Sequence, residues 1–286
     1  MWRCHIGVDE PNEIARGAWR FLLRYLRDAA AMVFSRPAYV WEGCPPSRVR
    51  VIAPCIDPFA SKNRDLADGE RREILVRSGL IANVPDSAPI VLQVSRWDRL
   101  KDPVGLLRAY AAGIAPRTEA WLVLAGPEVT SVDDDPEQPQ VLAEVGAERG
   151  LLDAAVRDRI VIAQIPMRDL DKNALIVNAL QRRADVVVQK SIAEGFGLTV
   201  AEAMWKSRPV VASRVGGIGD QVESGKSGIL IDDPADLAAF GAAVCELLSE
   251  PERAAALGSE AHQRVIDQFL APRHLMEQAE LISGLH

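Results

Sequence analysis

From Ile90 onward, short runs of consecutive apolar residues alternate with longer stretches in which apolar positions recur every three or four residues. The runs read as buried strands: Ile90 to Ser95, Trp121 to Ala125, Arg159 to Ala163, Asp185 to Gln189, Pro209 to Ala212 and Gly228 to Ile231. The stretches read as helices: Leu100 to Ala112, Gln140 to Arg149, Asn173 to Arg183, Leu198 to Lys206, Pro234 to Ser249, Pro251 to Phe269 and Pro272 to Leu285. Repeated βα units predict an α/β, doubly wound parallel sheet, and about six strands fill one Rossmann-like domain. Ahead of it, Pro11 to Ala31 has helical spacing with Trp19, Leu22, Leu23 and Leu26 apolar, and Met32 to Ser35 and Val49 to Ala53 read as strands. Pro54, Pro58 and Asn63 mark a turn-rich connector, taken as the domain boundary.

Composition narrows the function classes. The chain has 286 residues and is 48% apolar, enough for a buried core in one or two domains. A net charge of −7 argues against a nucleic-acid surface, which needs a basic stripe. Cys4, Cys44, Cys55 and Cys245 form no C-x-x-C pair and read as reduced thiols. Without a leader pattern or a long apolar run, the expected location is the cytoplasm, with no membrane partner. Asp133, Asp134 and Asp135 beside Pro136 read as a solvated loop, not as metal ligands.

Two constellations carry candidate chemistry. After the Asp185 to Gln189 run, the pair Gly195 and Gly197 breaks the pattern before helical spacing resumes at Leu198. Such a turn leaves the first N–H groups of the helix unpaired, and glycines let a phosphate approach them. Glu194 just outside the helix and Glu202 about one turn inside offer acceptors to sugar hydroxyls. Taken alone, that spacing is more often a helix-entrance glutamate and a solvated one. The second constellation follows the Ile90 to Ser95 strand, where Arg96, Arg99 and Lys101 supply cations at a strand's carboxyl edge, suited to a diphosphate.

The string S-I-A-E-G-F-G-L-T-V-A-E-A-M-W-K, Ser191 to Lys206, resembles the signature of retaining GT-B glycosyltransferases of the sucrose-synthase-like family 4. The resemblance implies that Glu194 contacts the donor sugar. It gives the distal phosphate to the backbone around Gly195, Phe196, Gly197, Leu198 and Thr199, and the ribose to Glu202. It makes S-R-W-D-R-L-K a diphosphate clamp, through Arg96 and Lys101. W-R-C-H-I at Trp2, A-P-C-I-D-P at Ala53, S-K-N at Ser61 and E-A-M-W-K at Glu202 resemble trehalose glycosyltransferring synthases and retaining trehalose phosphorylases over nearly the whole chain. By that resemblance His5 positions the reacting glucose. Where the family shows an aspartate after W-R-C-H-I this chain has Gly7, with Asp9 two positions later. His262, His274 and His286 fall in the C-terminal helical region and read as solvated or capping.

A GT-B enzyme has two Rossmann-like domains, and the residues before Ser61 are too few for the first, so the chain reads as shortened at its N-terminus. The expected division is residues 1–61 as a partial N-terminal Rossmann-like domain, 62–268 as the donor-binding domain, and 269–286 as a helix packing back on the N-terminal part. The expected function is retaining transfer of glucose from ADP-glucose or UDP-glucose to glucose, forming trehalose. Neither a cofactor nor a metal is expected, and the sequence leaves a homodimer open. The base preference is not legible, Ile165 to Met167 being only a guess at its pocket. Three alternatives stand: a trehalose phosphorylase using glucose 1-phosphate, a non-catalytic sugar-nucleotide binding fragment, and, last, an NAD-dependent oxidoreductase. The last lacks a G-x-G-x-x-G, since Val200 holds its final position.

Overall fold

A computed structural model describes residues 1–5, 7–129 and 136–285. The N-terminal part holds β1 (Trp2–Arg3), α1 (Glu13–Leu23), β2 (Met32–Phe34) and β3 (Val49–Val51). Its three strands run parallel in the order β1-β2-β3, with Trp2 opposite Met32 and Met32 opposite Val49. Asn12 caps α1 by accepting the Ala15 N–H at 2.9 Å. The helix ends at Leu23, well short of the expected Ala31, and Leu26 and Ala29 reach the same apolar cluster from a turn. Trp41 anchors that cluster between Trp2 and Trp19, with ring centroids 4.9 and 5.6 Å away.

The larger sheet comprises β4 (Ile90–Val94), β5 (Trp121–Pro127), β6 (Ile160–Ile165), β7 (Val186–Gln189), β8 (Val210–Ser213) and β9 (Ile229–Ile231). All its pairs are parallel, in the order β6-β5-β4-β7-β8-β9. The helices are α2 (Asp68–Ser78), α3 (Pro103–Ala109), α4 (Glu137–Gly150), α5 (Ala154–Arg157), α6 (Leu170–Arg183), α7 (Leu198–Trp205), α8 (Ile218–Gln221), α9 (Leu237–Ser249), α10 (Pro251–Gln268) and α11 (Ala271–Ser283). Alternate residues of one strand face opposite layers: Ile90, Leu92 and Val94 pack with α6, α7 and α10, whereas Val91 packs with α3, α4 and α9. Both faces are therefore covered, which is why the strands read as unbroken apolar runs. Counted within this domain the strand order is 3-2-1-4-5-6, and the winding reverses between β4 and β7. Their loops diverge there and leave a crevice at the carboxyl edge.

Two departures from the sequence reading have local causes. α2 carries no apolar period, because Leu75 is its one buried residue. The expected Leu100 to Ala112 helix is instead a 3-10 turn over Arg99–Lys101, then α3, then a wider turn over Tyr110–Ile114. Pro103 disfavours the right-handed helical conformation at the residue before it, and Asp102 adopts φ 44°. At the C-terminus, α11 sets Leu281 against Ala31, Val33 and Ile52, and Arg273 donates to the Ala53 carbonyl at 2.8 Å.

Candidate functional site

A cleft of about 800 Å³ opens at the β4/β7 reversal. Its walls bring together His5, Arg96, Lys101, Glu194, Glu202 and the stretch Gly195, Phe196, Gly197, Leu198 and Thr199. Residues up to 197 positions apart in the chain thus share one cavity, and the loops after β4 and β7 meet in it because they leave the same edge.

On the β4 side the residues after Ser95 divide their work. Arg96 donates to Asp98 at 3.0 Å with its side chain largely exposed. Trp97 turns inward, its Nε1 donating to the Pro127 carbonyl at 2.8 Å. A Cβ on Gly126 would come within 2.6 Å of that ring, so only glycine lets β5 pass it. Arg99 leaves the cleft for Glu137 and Glu144 on α4. Lys101 stays and donates through Nζ to Glu194 Oε2, a contact that joins the two walls.

On the β7 side, Gly197 takes φ +81° to start α7, and no side chain caps that helix end. Its first two residues, Leu198 and Thr199, line the cleft, and the dipole at such a helix end favours an anion by roughly 0.3–1 kcal/mol. The loop is held by side chains around it. Tyr39 donates to the Glu194 and Gly195 carbonyls at 2.8 and 2.7 Å, Gln181 donates to the Thr199 carbonyl at 3.2 Å, and Thr199 Oγ1 donates to Gln189 at 3.2 Å. Gly216, at φ +51°, lets the Glu194 carbonyl pass where a Cβ would lie 1.7 Å from it.

Glu202 forms the floor. Its side chain is 8% exposed, Lys62 stands 3.5 Å from Oε1, and Oε2 is buried without a hydrogen-bond partner. Burial raises its carboxyl above the ordinary range, against the pull of Lys62 and Lys206. Beneath it lies Lys206, 3% exposed, which donates to Asn63 Oδ1 at 3.1 Å and to the Glu202 carbonyl at 3.0 Å. Burial pushes the Lys206 ammonium down to about 7.

The cleft also contains residues given no role from sequence: Arg3, Cys55, Lys62, Gln189 and His274. Arg3, Cys55 and Lys62 sit inside the W-R-C-H-I, A-P-C-I-D-P and S-K-N strings, so the signal for them was present in the motifs. His274 corrects the sequence reading. It is half-buried at the cleft, with Nδ1 3.0 Å from the Ala53 carbonyl and Nε2 3.3 Å from Arg3. His262 is likewise not solvated, since its ring stacks 4.5 Å from Trp205 and its Nδ1 contacts the Trp205 carbonyl.

Gly7 explains its own departure: a Cβ there would fall 1.9 Å from the Tyr39 ring, the same side chain that holds the Glu194 loop. Asp9 serves elsewhere, accepting the Gly216 N–H at 2.6 Å and pairing with Arg36 at 2.5 Å. Ile165 to Met167 does not line the cleft, and Asn173 donates to the Pro166 carbonyl at 3.1 Å. Asp133, Asp134, Asp135 and His286 lie outside the described residues. Among the described residues no group of three His, Cys, Asp or Glu converges as metal ligands would, none of the four cysteines is in a disulfide, and no helix is long and apolar enough to cross a membrane.

Known proteins share this framework. The family profile "Glycosyl transferases group 1" matches residues 81–264, which include the β4 and β7 sides of the cleft. A trehalose synthase of Rubrobacter xylanophilus is 38% identical over 100% of the chain and 63% of its own length. A trehalose synthase of Pyrococcus horikoshii is 32% identical over 100% of the chain and 64% of its length. The chain thus spans a little under two thirds of these relatives. Among solved structures, the sucrose-phosphate synthase of Thermosynechococcus elongatus superposes with a TM-score of 0.72 at 24% identity, covering 96% of this chain and 62% of that one. Anabaena Alr3699/HepE in complex with UDP-glucose gives 0.76 at 18%, covering 99% and 71%. The fold is that of the GT-B glycosyltransferases, and the chain belongs to the group 1 glycosyl transferases.

Proposed function

We propose that the chain carries the donor half of a retaining glucosyltransferase, which takes glucose from ADP-glucose or UDP-glucose and passes it to a second glucose to form trehalose. The observation that carries this reading is the joining of two cleft walls at Lys101 and Glu194, beside an uncapped helix end. Cations and bare amides suit a diphosphate, and Glu194 suits the hydroxyls of the sugar attached to it. The unpartnered Glu202 Oε2 suits a ribose hydroxyl, which supports a nucleotide donor over glucose 1-phosphate. The names of the trehalose synthases support the product.

As the bond from sugar C1 to the diphosphate oxygen breaks, negative charge gathers on the leaving group. Lys101, Arg96 and the amides of Leu198 and Thr199 stabilise that charge more than they stabilise the intact donor, and this difference is what lowers the barrier. The acceptor hydroxyl forms the new C1–O bond from the face being vacated, and its proton passes to the departing phosphate. His5 positions the glucose from the opposite wall.

Incubating the chain with glucose and, in separate reactions, ADP-glucose, UDP-glucose or glucose 1-phosphate tests the reading. Trehalose is expected with a nucleotide donor. Trehalose from glucose 1-phosphate alone would make the chain a phosphorylase, and tight nucleotide binding with no product would make it a binding fragment.

A further inference from the structure

The segment after β7 begins with a wholly buried lysine. Lys190 is 1% exposed and is not part of the cleft lining, yet its Nζ donates to Asp102 Oδ2 on the loop after β4. Asp102 is the residue next to Lys101, and its other oxygen accepts the Gly105 N–H at 2.9 Å. Two further links run in parallel. Gln93, 1% exposed, accepts the Lys190 N–H at 2.9 Å and donates to the Lys101 carbonyl at 3.0 Å. The Ile192 N–H donates to the Leu100 carbonyl at 2.8 Å. The loop bearing Lys101 is therefore fastened, on both sides of that residue, to the loop bearing Glu194.

The fastening adds to what Pro103 and the Gly105 N–H already impose on the backbone at Asp102. A non-glycine residue in the left-handed region is uncommon and persists only where its surroundings support it. Asp102 is such a residue, at φ 44°. A Cβ on Gly105 would lie 2.1 Å from Asp102 Oδ2, so the fold has also left room for this carboxylate. A buried ion pair is a weak source of net stability compared with apolar packing, and its best use is to fix one geometry against others.

We infer that the Lys190–Asp102 pair positions Lys101 for the donor diphosphate, which makes Lys190 a positioning residue that touches no substrate. The inference rests on the proposed donor reading. Lys190 sets where the Lys101 ammonium stands between the two walls, and without it the turn over Arg99–Lys101 is free to relax away from Glu194.

The test is a double-mutant cycle read by calorimetric titration of the full chain with ADP and with UDP. Lys101→Ala is expected to weaken nucleoside diphosphate binding by about tenfold, as for loss of a charged hydrogen bond. Lys190→Met is expected to weaken it by about three- to tenfold, and to add almost nothing in the Lys101→Ala background. If Lys190→Met does not fold, Lys190→Met with Asp102→Asn removes both charges together and keeps an oxygen for Gly105. That pair of changes should melt near the wild type and still bind weakly. Full additivity, or a Lys190 variant that binds like wild type beside a weakened Lys101→Ala, overturns the inference alone. No binding by the wild type, or no effect of Lys101→Ala, overturns the donor reading and the inference with it.

Discussion

Lys206 is buried under the Glu202 carboxylate with two oxygen partners, and its ammonium sits at about 7 where an ordinary lysine sits at 10.5. The unfolded chain therefore binds the extra proton between those values, so stability from this group rises with pH through that window and is lost as pH falls through about 7. Glu202 acts with the opposite sign. Its carboxyl is raised by burial, so its contribution is present below the ordinary carboxylate range and is lost as pH climbs through the raised value. Replacing Lys206 with Met should remove the alkaline rise. Melting temperatures measured from pH 7 to pH 10 are expected to climb for the wild type relative to Lys206→Met, each kcal/mol of difference moving Tm by about 2–4 °C. Parallel curves would mean that Lys206 reaches water more freely than its burial implies.

The turn between β7 and α7 is shaped less by its own residues than by what crosses behind it. Gly216 passes the Glu194 carbonyl at a distance no Cβ tolerates, and its φ of +51° disfavours any side chain. Gly216→Ala is expected to destabilise the fold by about 1–3 kcal/mol and to weaken nucleotide binding, because the displaced atom belongs to the Glu194 loop. Equal melting curves for the two proteins would contradict that. Contacts of this kind explain what the sequence could and could not disclose. β4 to β9 were legible because burial on both faces leaves unbroken apolar runs, and the glycine pair before Leu198 marked the turn. α2 was not legible, having Leu75 alone inside, nor was the break at Asp102, where Pro103 was the visible cue. The ten candidate residues were found through motifs, and all ten line the cleft. Lys62 lay unremarked within S-K-N, and Lys190 beside the signature string. A buried lysine and a solvated one look identical in sequence until a partner such as Asp102, 88 positions away, is brought to it.

Across the molecule, side chains of the N-terminal layer brace the larger sheet's domain close to the cleft. Arg36 pairs with Asp9 at 2.5 Å and with Asp220 at 2.8 Å, and its guanidinium lies 5.1 Å from the centre of the Tyr39 ring. Tyr39 in turn holds the Glu194 loop, while α11 returns from the far end to place His274 against Arg3 at the cleft mouth. The cavity is thus bounded by segments from the beginning, middle and end of the chain. The reversal of strand order between β4 and β7 fixes where they meet. All of this converges on one expectation about an anion. A crystal structure of the chain with ADP or UDP should place the distal phosphate within hydrogen-bonding reach of Lys101 Nζ and the Leu198 and Thr199 amides, with the ribose on Glu202. A nucleotide bound away from those groups, or one whose phosphates point out of the cleft, would contradict it.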